Sequence, residues 1–280
     1  MANQSGGSGK TTSATALATV LATEHHKRVR VIDADTNRDA SRLLGYDDPD
    51  AMEGQATIND VLFMDTTLAE ATLPARIRNA DGSWRTIPNL LLVPGSLELA
   101  KLDLSLASEM KRDERLFMAF ENDDDPADVE IVDGPASLGL LMINILMAVD
   151  EIYGAVKAGI KEIRALDELE KTAAEVNKFR PGRPVELAGI IVTDRPSRTA
   201  GQAYLDAVSL LVKTYGREFI LPYPEDSSDE DEAHQYGISR SVKVPEAYDA
   251  MQPINLYAPT SPPARDYSKM ANQLVRAGLV

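Results

Sequence analysis

Apolar positions along the chain recur with two alternating periods. Ala14, Leu17, Ala18 and Leu21 repeat at three- and four-residue spacing, which predicts a helix over about 10–24. His25, His26, Lys27 and Arg28 follow, and basic residues suit the negative end of a helix dipole. Val29-Arg30-Val31-Ile32-Asp33 is short and β-branched and ends in acids, the pattern of a parallel strand whose carboxyl end reaches a site. Asn89-Leu90-Leu91-Leu92-Val93, Val129-Glu130-Ile131-Val132-Asp133 and residues 150–156, 185–192 and 219–222 read as further strands. Helical periodicity predicts helices over about 99–120, 163–179 and 199–215, an apolar helix ending at Ala148 and an amphipathic one over 264–276. Residues 36–45 read as a loop and a short helix closed by Gly45. Residues 46–88 are less regular, with turn chemistry at Asn79-Ala80-Asp81-Gly82, a short helix near 58–64, and the single tryptophan, Trp84, expected to cover part of the core.

Strands that alternate with helices of ten or more residues form parallel β-α-β units. The expected fold is therefore α/β, a doubly wound, mostly parallel sheet with helices on both faces. No repeat and no Pro-, Gly- or Ser-rich linker divides the chain, so residues 1–280 are expected to form one domain, with 46–88 as a peripheral insertion and 223–280 as a C-terminal segment. In such folds ligands gather at the carboxyl edge of the sheet.

Composition narrows the chemistry. The formal net charge is −15, so contact with nucleic acid has to come from a local basic patch rather than from general attraction. The absence of cysteine excludes a disulfide scaffold, thiolate metal sites and iron–sulfur centres. No apolar run approaches the roughly 20 residues that span a bilayer, and no charged-then-apolar leader precedes the glycine-rich loop. A cytoplasmic location without a membrane partner is the expectation.

The strongest chemical signal opens the chain. In Ser5-Gly6-Gly7-Ser8-Gly9-Lys10-Thr11-Thr12, three glycines in four positions let the backbone bend so that successive N–H groups face one anion. Lys10 supplies charge for β- and γ-phosphates, the Thr11 hydroxyl can ligate Mg²⁺, and the following helix turns its positive end to the phosphates. Gly6, Gly7, Ser8, Gly9, Lys10, Thr11 and Thr12 are thus the candidate nucleotide-binding residues. A phosphate loop normally follows a buried strand, yet four residues precede this one, so that strand is either very short or belongs to a longer chain.

The loop resembles the deviant phosphate loop of the ParA/MinD ATPases, Lys-Gly-Gly-x-Gly-Lys-Thr, with Ser5 in place of the first lysine. In that family this lysine reaches across a dimer interface to the partner's nucleotide. Asp33-Ala34-Asp35-Thr36-Asn37-Arg38-Asp39-Ala40-Ser41 is similar to the family's Asp-x-Asp-Pro-Gln-x-Asn-Ala-Ser, which implies that Asp35 holds the attacking water near the γ-phosphate. Asp133-Gly134-Pro135-Ala136-Ser137-Leu138-Gly139-Leu140-Leu141 resembles Asp-x-Pro-Pro-Ser-Leu-Gly-Leu-Leu. There an acid ending a strand organises the hydration of the Mg²⁺. Lys10, Asp35 and Asp133 are accordingly the expected catalytic residues, and Thr11, Asp133 and Asp35 the expected metal-site residues. Toward the end, residues 238–247 resemble a ParA segment, Arg-x-x-Val-Arg-x-x-Glu-Ala, that contacts DNA in some members. The match nominates Arg240 and Lys243, joined more weakly by Arg195 and Arg198, each able to neutralise one phosphate. The dense acidic run at 226–232 reads as a solvated loop.

The resemblance is closest to the ParA partition ATPases. It implies ATP and Mg²⁺ as cofactors, an ATP-dependent homodimer that holds nonspecific DNA, and release by hydrolysis stimulated by a ParB-type centromere-binding protein. A MinD-like ATPase positioned on a membrane or protein cargo, and an ATP-gated dimer with little hydrolysis, are the alternatives. A metabolic ligase on a related loop is a more distant one.

Overall fold

The computed structural model describes residues 1–2, 7–47, 52–106, 109–196, 201–225 and 232–280. Its centre is Val29–Asp33 (β1), buried along its whole length. Val29 and Val31 point into one apolar cluster and Ile32 into another on the opposite face, as the two-residue period of a strand requires. β1 pairs in parallel with Trp84–Val93 (β3) on one side and Val129–Asp133 (β4) on the other, and Leu73–Arg78 (β2) runs antiparallel along β3 at the edge. Glu151–Lys157 (β5), Glu186–Thr193 (β6) and Ile220–Leu221 (β7) pair in parallel as a second group.

Met1 and Ala2 join the two groups. The Met1 amine donates to Val132 O (2.6 Å) and Gly134 N to Met1 O (3.1 Å), while Ala2 N donates to Tyr153 O (3.0 Å) and Ala155 N to Ala2 O (3.2 Å). Among the described residues, Met1 and Ala2 stand in the place of the strand expected ahead of the loop. The sheet then reads β2-β3-β1-β4-(Met1-Ala2)-β5-β6-β7, parallel except for β2.

Helices cover both faces. On one lies Lys10–Thr23 (α1), whose residues 13–22 are all buried, with Asp39–Leu43 (α2) beside it. Lys243–Asp249 (α10), Ile254–Tyr257 (α11) and Pro262–Ala277 (α12) complete that layer. The other face carries Ile58–Phe63 (α3), Leu68–Ala71 (α4), Leu102–Ser105 (α5), Arg115–Glu121 (α6) and Leu140–Ala148 (α7). Ile160–Asn177 (α8) and Gln202–Tyr215 (α9) flank β5 and β6. Tyr267, Met270, Ala271 and Leu274 place the apolar face of α12 in the same cluster as the small residues of α1, so the amphipathicity of α12 is spent on the core. No helix among the described residues is long and apolar enough to cross a membrane.

Two expectations need correction. The long helix over 99–120 is broken: a 3₁₀ turn at Leu97–Lys101 leads into α5, and α6 starts afresh at Arg115. Asn144 of α7 makes the break, its Oδ1 accepting from Arg115 N (2.9 Å) and its Nδ2 donating to Arg112 O (2.8 Å). It caps α6 from another element, and Leu104 and Met110 are more than 80% exposed. The segment 46–88 is also more ordered than its pattern suggests, because 73–93 form the β2–β3 hairpin around the Asp81-Gly82 turn. Trp84 stands half-exposed on it with the Arg76 guanidinium 4.4 Å from its ring.

Candidate active site

The glycine-rich loop lies between the Met1-Ala2 stub and α1. Gly7 (φ 71°) and Gly9 (φ 87°) adopt the left-handed conformation that glycine accepts without strain. Gly9 is the N-cap of α1, with no side-chain cap and no acid in the first turn, so the helix start is free to take an external anion. The loop is anchored from β6: Thr193 Oγ1 donates to Ser8 O (2.8 Å), with Val156 O also in reach at 3.2 Å. A Cβ on Gly9 would stand 3.0 Å from Thr193 Cγ2. The sequence reading missed Thr193; its one signal was a hydroxyl at the carboxyl end of a strand.

Three strand ends converge on this loop. Asp33 and Asp133 are in register on β1 and β4, and Ala34 N donates to Asp133 O (2.9 Å). Thr11 Oγ1 donates to Asp133 Oδ2 (2.6 Å), while Asp133 Oδ1, fully buried, has no partner among the described residues. Burial raises the Asp133 carboxyl to about 7, helped by the Asp33 charge and opposed by the Thr11 bond. Lys10 is nearly buried and its ammonium is lowered by desolvation, which the Asp133 and then the Asp35 carboxylates counter. Asp35 follows the end of β1, its Oδ1 accepting from Asn37 N (3.0 Å). Thr12 sits half-buried on the first turn of α1. Gly6 and Ser5 lie outside the described residues.

Asp33, the other acid of the Asp-x-Asp pair, is a pin. Its Oδ2 accepts from Ser41 N (2.7 Å) and Ser41 Oγ (2.6 Å), and Ser41 Oγ accepts from Gly95 N (2.8 Å). The end of β1 is thereby tied to α2 and to the turn after β3. Burial raises Asp33 to about 6.

An uncapped helix start, a buried lysine, and a threonine–aspartate pair with an unpartnered carboxylate oxygen suit a phosphate group with a hard cation. A model of the family AAA_31, described as an AAA domain, matches residues 1–181. The chain belongs to that family, the ParA/MinD-type phosphate-loop ATPases. The sporulation initiation inhibitor protein Soj of Bacillus subtilis is 28% identical over 277 residues, 99% of this chain and 97% of Soj. The crystal structure of cobyrinic acid a,c-diamide synthase from Mycobacterium smegmatis, with bound ADP and magnesium, aligns with a TM-score of 0.73 at 24% identity, over 99% of this chain and 93% of that one. A plasmid partition protein of Borrelia burgdorferi bound to AMPPNP aligns with a TM-score of 0.69 at 18% identity, over 99% and 97%. At these identities the two structures speak for the fold.

Three of the four cations that the ParA resemblance nominates are already engaged within the chain. Arg195 is mostly buried: its guanidinium donates to Gln235 O (2.8 Å), to Ser239 Oγ and to Asp266 (3.2 Å), which fastens β6 to the segment before α10. Arg240 is exposed but forks onto Asp194 (2.8 and 3.0 Å), next to Thr193. Lys243 pairs with Glu246 one turn along α10 (2.7 Å). Arg198 and the acidic run at 226–231 lie outside the described residues.

Proposed function

We propose that this protein is a ParA-like partition ATPase that binds ATP with Mg²⁺, dimerises on it, and holds nonspecific DNA until hydrolysis releases it. The observation that carries the nucleotide part is the Thr11–Asp133 pair, with its unpartnered oxygen, at the uncapped start of α1. Bound Mg²⁺ would neutralise charge on the β- and γ-phosphates, and Thr11 and Asp133 are the residues to hold it. Lys10 and the amides from Gly7 to Thr12 cradle the phosphates. Asp35 orients the attacking water. Transfer of a phosphoryl group to water asks the protein chiefly for positioning and charge, which these residues supply.

The DNA part draws support from relatives named for chromosome partitioning, such as the ParA of Caulobacter vibrioides, 26% identical over 279 residues. Arg240 and Lys243 are the contacts proposed, each exchanging an internal carboxylate for a DNA phosphate, with a ParB-type protein as the hydrolysis-stimulating partner. The test is a DNA titration with ATP, with ADP and without nucleotide at one stated salt concentration, since phosphate contacts weaken with salt. Binding with ATP alone, retained without release in Asp35→Ala and absent in Lys10→Ala, is expected. Equal binding in all three conditions would refute the nucleotide-gated reading. Liposome co-sedimentation with ATP instead of DNA binding would favour the MinD-like alternative.

Ser5 supports a second reading, an ATP-gated dimer with little turnover, because a hydroxyl cannot deliver the charge that the family's lysine carries across the interface.

A further inference from the structure

The β2–β3 hairpin carries an arginine–tryptophan face that the nucleotide site does not use. Arg76 and Arg78 alternate on β2, and the register sets Thr86 and Trp84 opposite them, so the four side chains share one face. The stretch Leu44-Gly45-Tyr46 runs along the outer edge of β2: Arg76 N donates to Leu44 O (3.0 Å) and Arg76 Nε to Gly45 O (3.1 Å). The Arg76 guanidinium is thereby held between two rings, 4.3 Å from the centroid of Tyr46 and 4.4 Å from that of Trp84. Its two terminal nitrogens have no acceptor among the described residues. Arg78 is exposed, and its Nε makes only a long bond to Gly82 O (3.4 Å). The acid of the hairpin turn, Asp81, is occupied with Ser83 N (2.9 Å) and Ser83 Oγ (2.6 Å). Two guanidinium groups on this face therefore lack a carboxylate partner among the described residues, in a chain of net charge −15. The face is also held in place. Gln252 Nε2 donates to Arg78 O (3.0 Å), which ties the hairpin to the turn between α10 and α11, and Tyr46 Oη donates to Pro74 O (2.8 Å).

Guanidinium groups left unpaired on an acidic protein attract a partner that brings several negative charges close together. A half-exposed indole backed by a cation offers a flat surface to a second ring. A single strand of nucleic acid meets both demands, with phosphates along its backbone and unpaired bases beside them. A duplex keeps its bases inside the stack, and a run of aspartates and glutamates brings charge without rings. We propose that the face formed by Arg76, Arg78 and Trp84 binds single-stranded nucleic acid, DNA or RNA. A base stacks on the open side of Trp84, and the neighbouring phosphates take the free donors of Arg76 and Arg78. Arg76 suits this task because its planar fork is already fixed between two rings and loses little freedom on meeting a phosphate. The duplex contacts proposed at Arg240 and Lys243 belong to another segment, and this inference needs neither them nor the partition reading.

The test uses the full chain with ADP and Mg²⁺ in excess, so that the candidate nucleotide site does not compete for phosphate. The probes are oligo-dT and oligo-U of about 12 nucleotides and a duplex of about 12 base pairs. Trp84 is the single tryptophan of the chain, so its emission reports contact at this face directly. Quenching by a single strand is expected, with an affinity about tenfold or more above that for the duplex. Quenching by oligo-dT alone would identify the ligand as DNA, by oligo-U alone as RNA, and either supports the inference. In anisotropy titrations of the labelled strand, Trp84→Ala is expected to weaken binding about tenfold or more. Arg78→Ala is expected to weaken it and to lower the salt slope by about 0.7. Arg85→Ala makes the same change of charge on the opposite face of the hairpin and should stay within about twofold of wild type. Wild-type emission unchanged by both single strands would overturn the inference without recourse to any variant. Quenching as strong with the duplex, or with poly-glutamate, would also overturn it, since the occupant would then be a double helix or an acidic protein. Equal losses in Arg78→Ala and Arg85→Ala would reduce the effect to net charge and overturn it as well.

Discussion

Asp133 combines two demands that oppose one another. It is fully buried beside a second buried acid, Asp33, which disfavours its charge, yet a metal-holding role needs that charge. Its carboxyl, raised to about 7 from an unfolded value of 3.8, keeps a proton in the folded protein that the unfolded chain has lost. Between about pH 4 and pH 7 the folded state binds more protons, so Asp133 makes stability fall as pH rises, and the penalty is complete above pH 7. Asp133→Asn removes that penalty while keeping an acceptor for the Thr11 hydroxyl. We expect the variant to match wild type near pH 4 and to exceed it by about 2–4 kcal/mol at pH 8, in urea melts without nucleotide. The Met1 ammonium, lowered to about 6 by burial, titrates in the opposite sense, so the difference between the two proteins is the quantity to follow. The same variant should lose Mg²⁺-dependent nucleotide binding, a gain of stability at the cost of function. A flat difference across pH 4–8 would show that Asp133 is ionised throughout.

At the scale of elements, the site is a meeting of strand tips. β1 brings Asp35, β4 brings Asp133, and β6 brings Thr193, whose hydroxyl bond to Ser8 O fixes the loop from the side opposite the acids. Thr193→Val keeps the volume but leaves the buried Ser8 carbonyl without its donor, a loss of about 1–3 kcal/mol. We expect nucleotide affinity about tenfold weaker or worse in Thr193→Val and near wild type in Thr193→Ser, measured by calorimetry at fixed Mg²⁺. Equal affinities in the two variants would reduce Thr193 to packing. Elements with both faces buried were legible in the sequence, because β1, β4 and α7 are apolar runs interrupted inside by one polar residue each, Arg30, Glu130 and Asn144. Asp133 ends such a run and Asp35 stands two residues beyond one, which is the signal that nominated them. The β2–β3 hairpin was not legible, since an edge strand reading Leu73-Pro-Ala-Arg-Ile-Arg78 buries only alternate positions and carries a proline. The break between α5 and α6 was not either, because the group that imposes it, Asn144, comes from a different helix. Arg30 belongs with these cases: a guanidinium inside a β-branched run, fully buried, is held by Glu130 (2.6 Å), Asp123 and Thr72, partners 42 to 100 residues away.

Across the whole molecule, charge decides what the nucleotide site can control. The chain carries −15 formal charges, so the proposed DNA binding would need a few cations brought to one surface to overcome the repulsion, and the proposed dimer would double their number. Arg240, an exposed candidate, is held by Asp194, whose chain neighbour Thr193 grips the phosphate loop, while Arg195 bolts the strand-like bridge between them. The candidate nucleotide site and the candidate DNA segment therefore share β6, a short path through which, on the proposed reading, occupancy of one would bias the other. Position 5 is serine where the loop pattern that the chain resembles has lysine, and the proposed low turnover rests on that difference. A cation placed beside transferring phosphates is worth about 10³–10⁵ in rate where one is supplied in trans. Without it, the ATP state should persist and the basal rate should be low. Ser5→Lys restores the charge, and we expect steady-state phosphate release to rise by about tenfold or more while ATP affinity changes little. On the proposed reading the group acts across an interface, so the gain should grow with protein concentration. A mixture of Ser5→Lys with a Lys10→Ala partner that cannot bind ATP should show less turnover per lysine-bearing subunit. Phosphate release that stays at the wild-type rate at every concentration would mean that another basic residue already fills the role of the lysine.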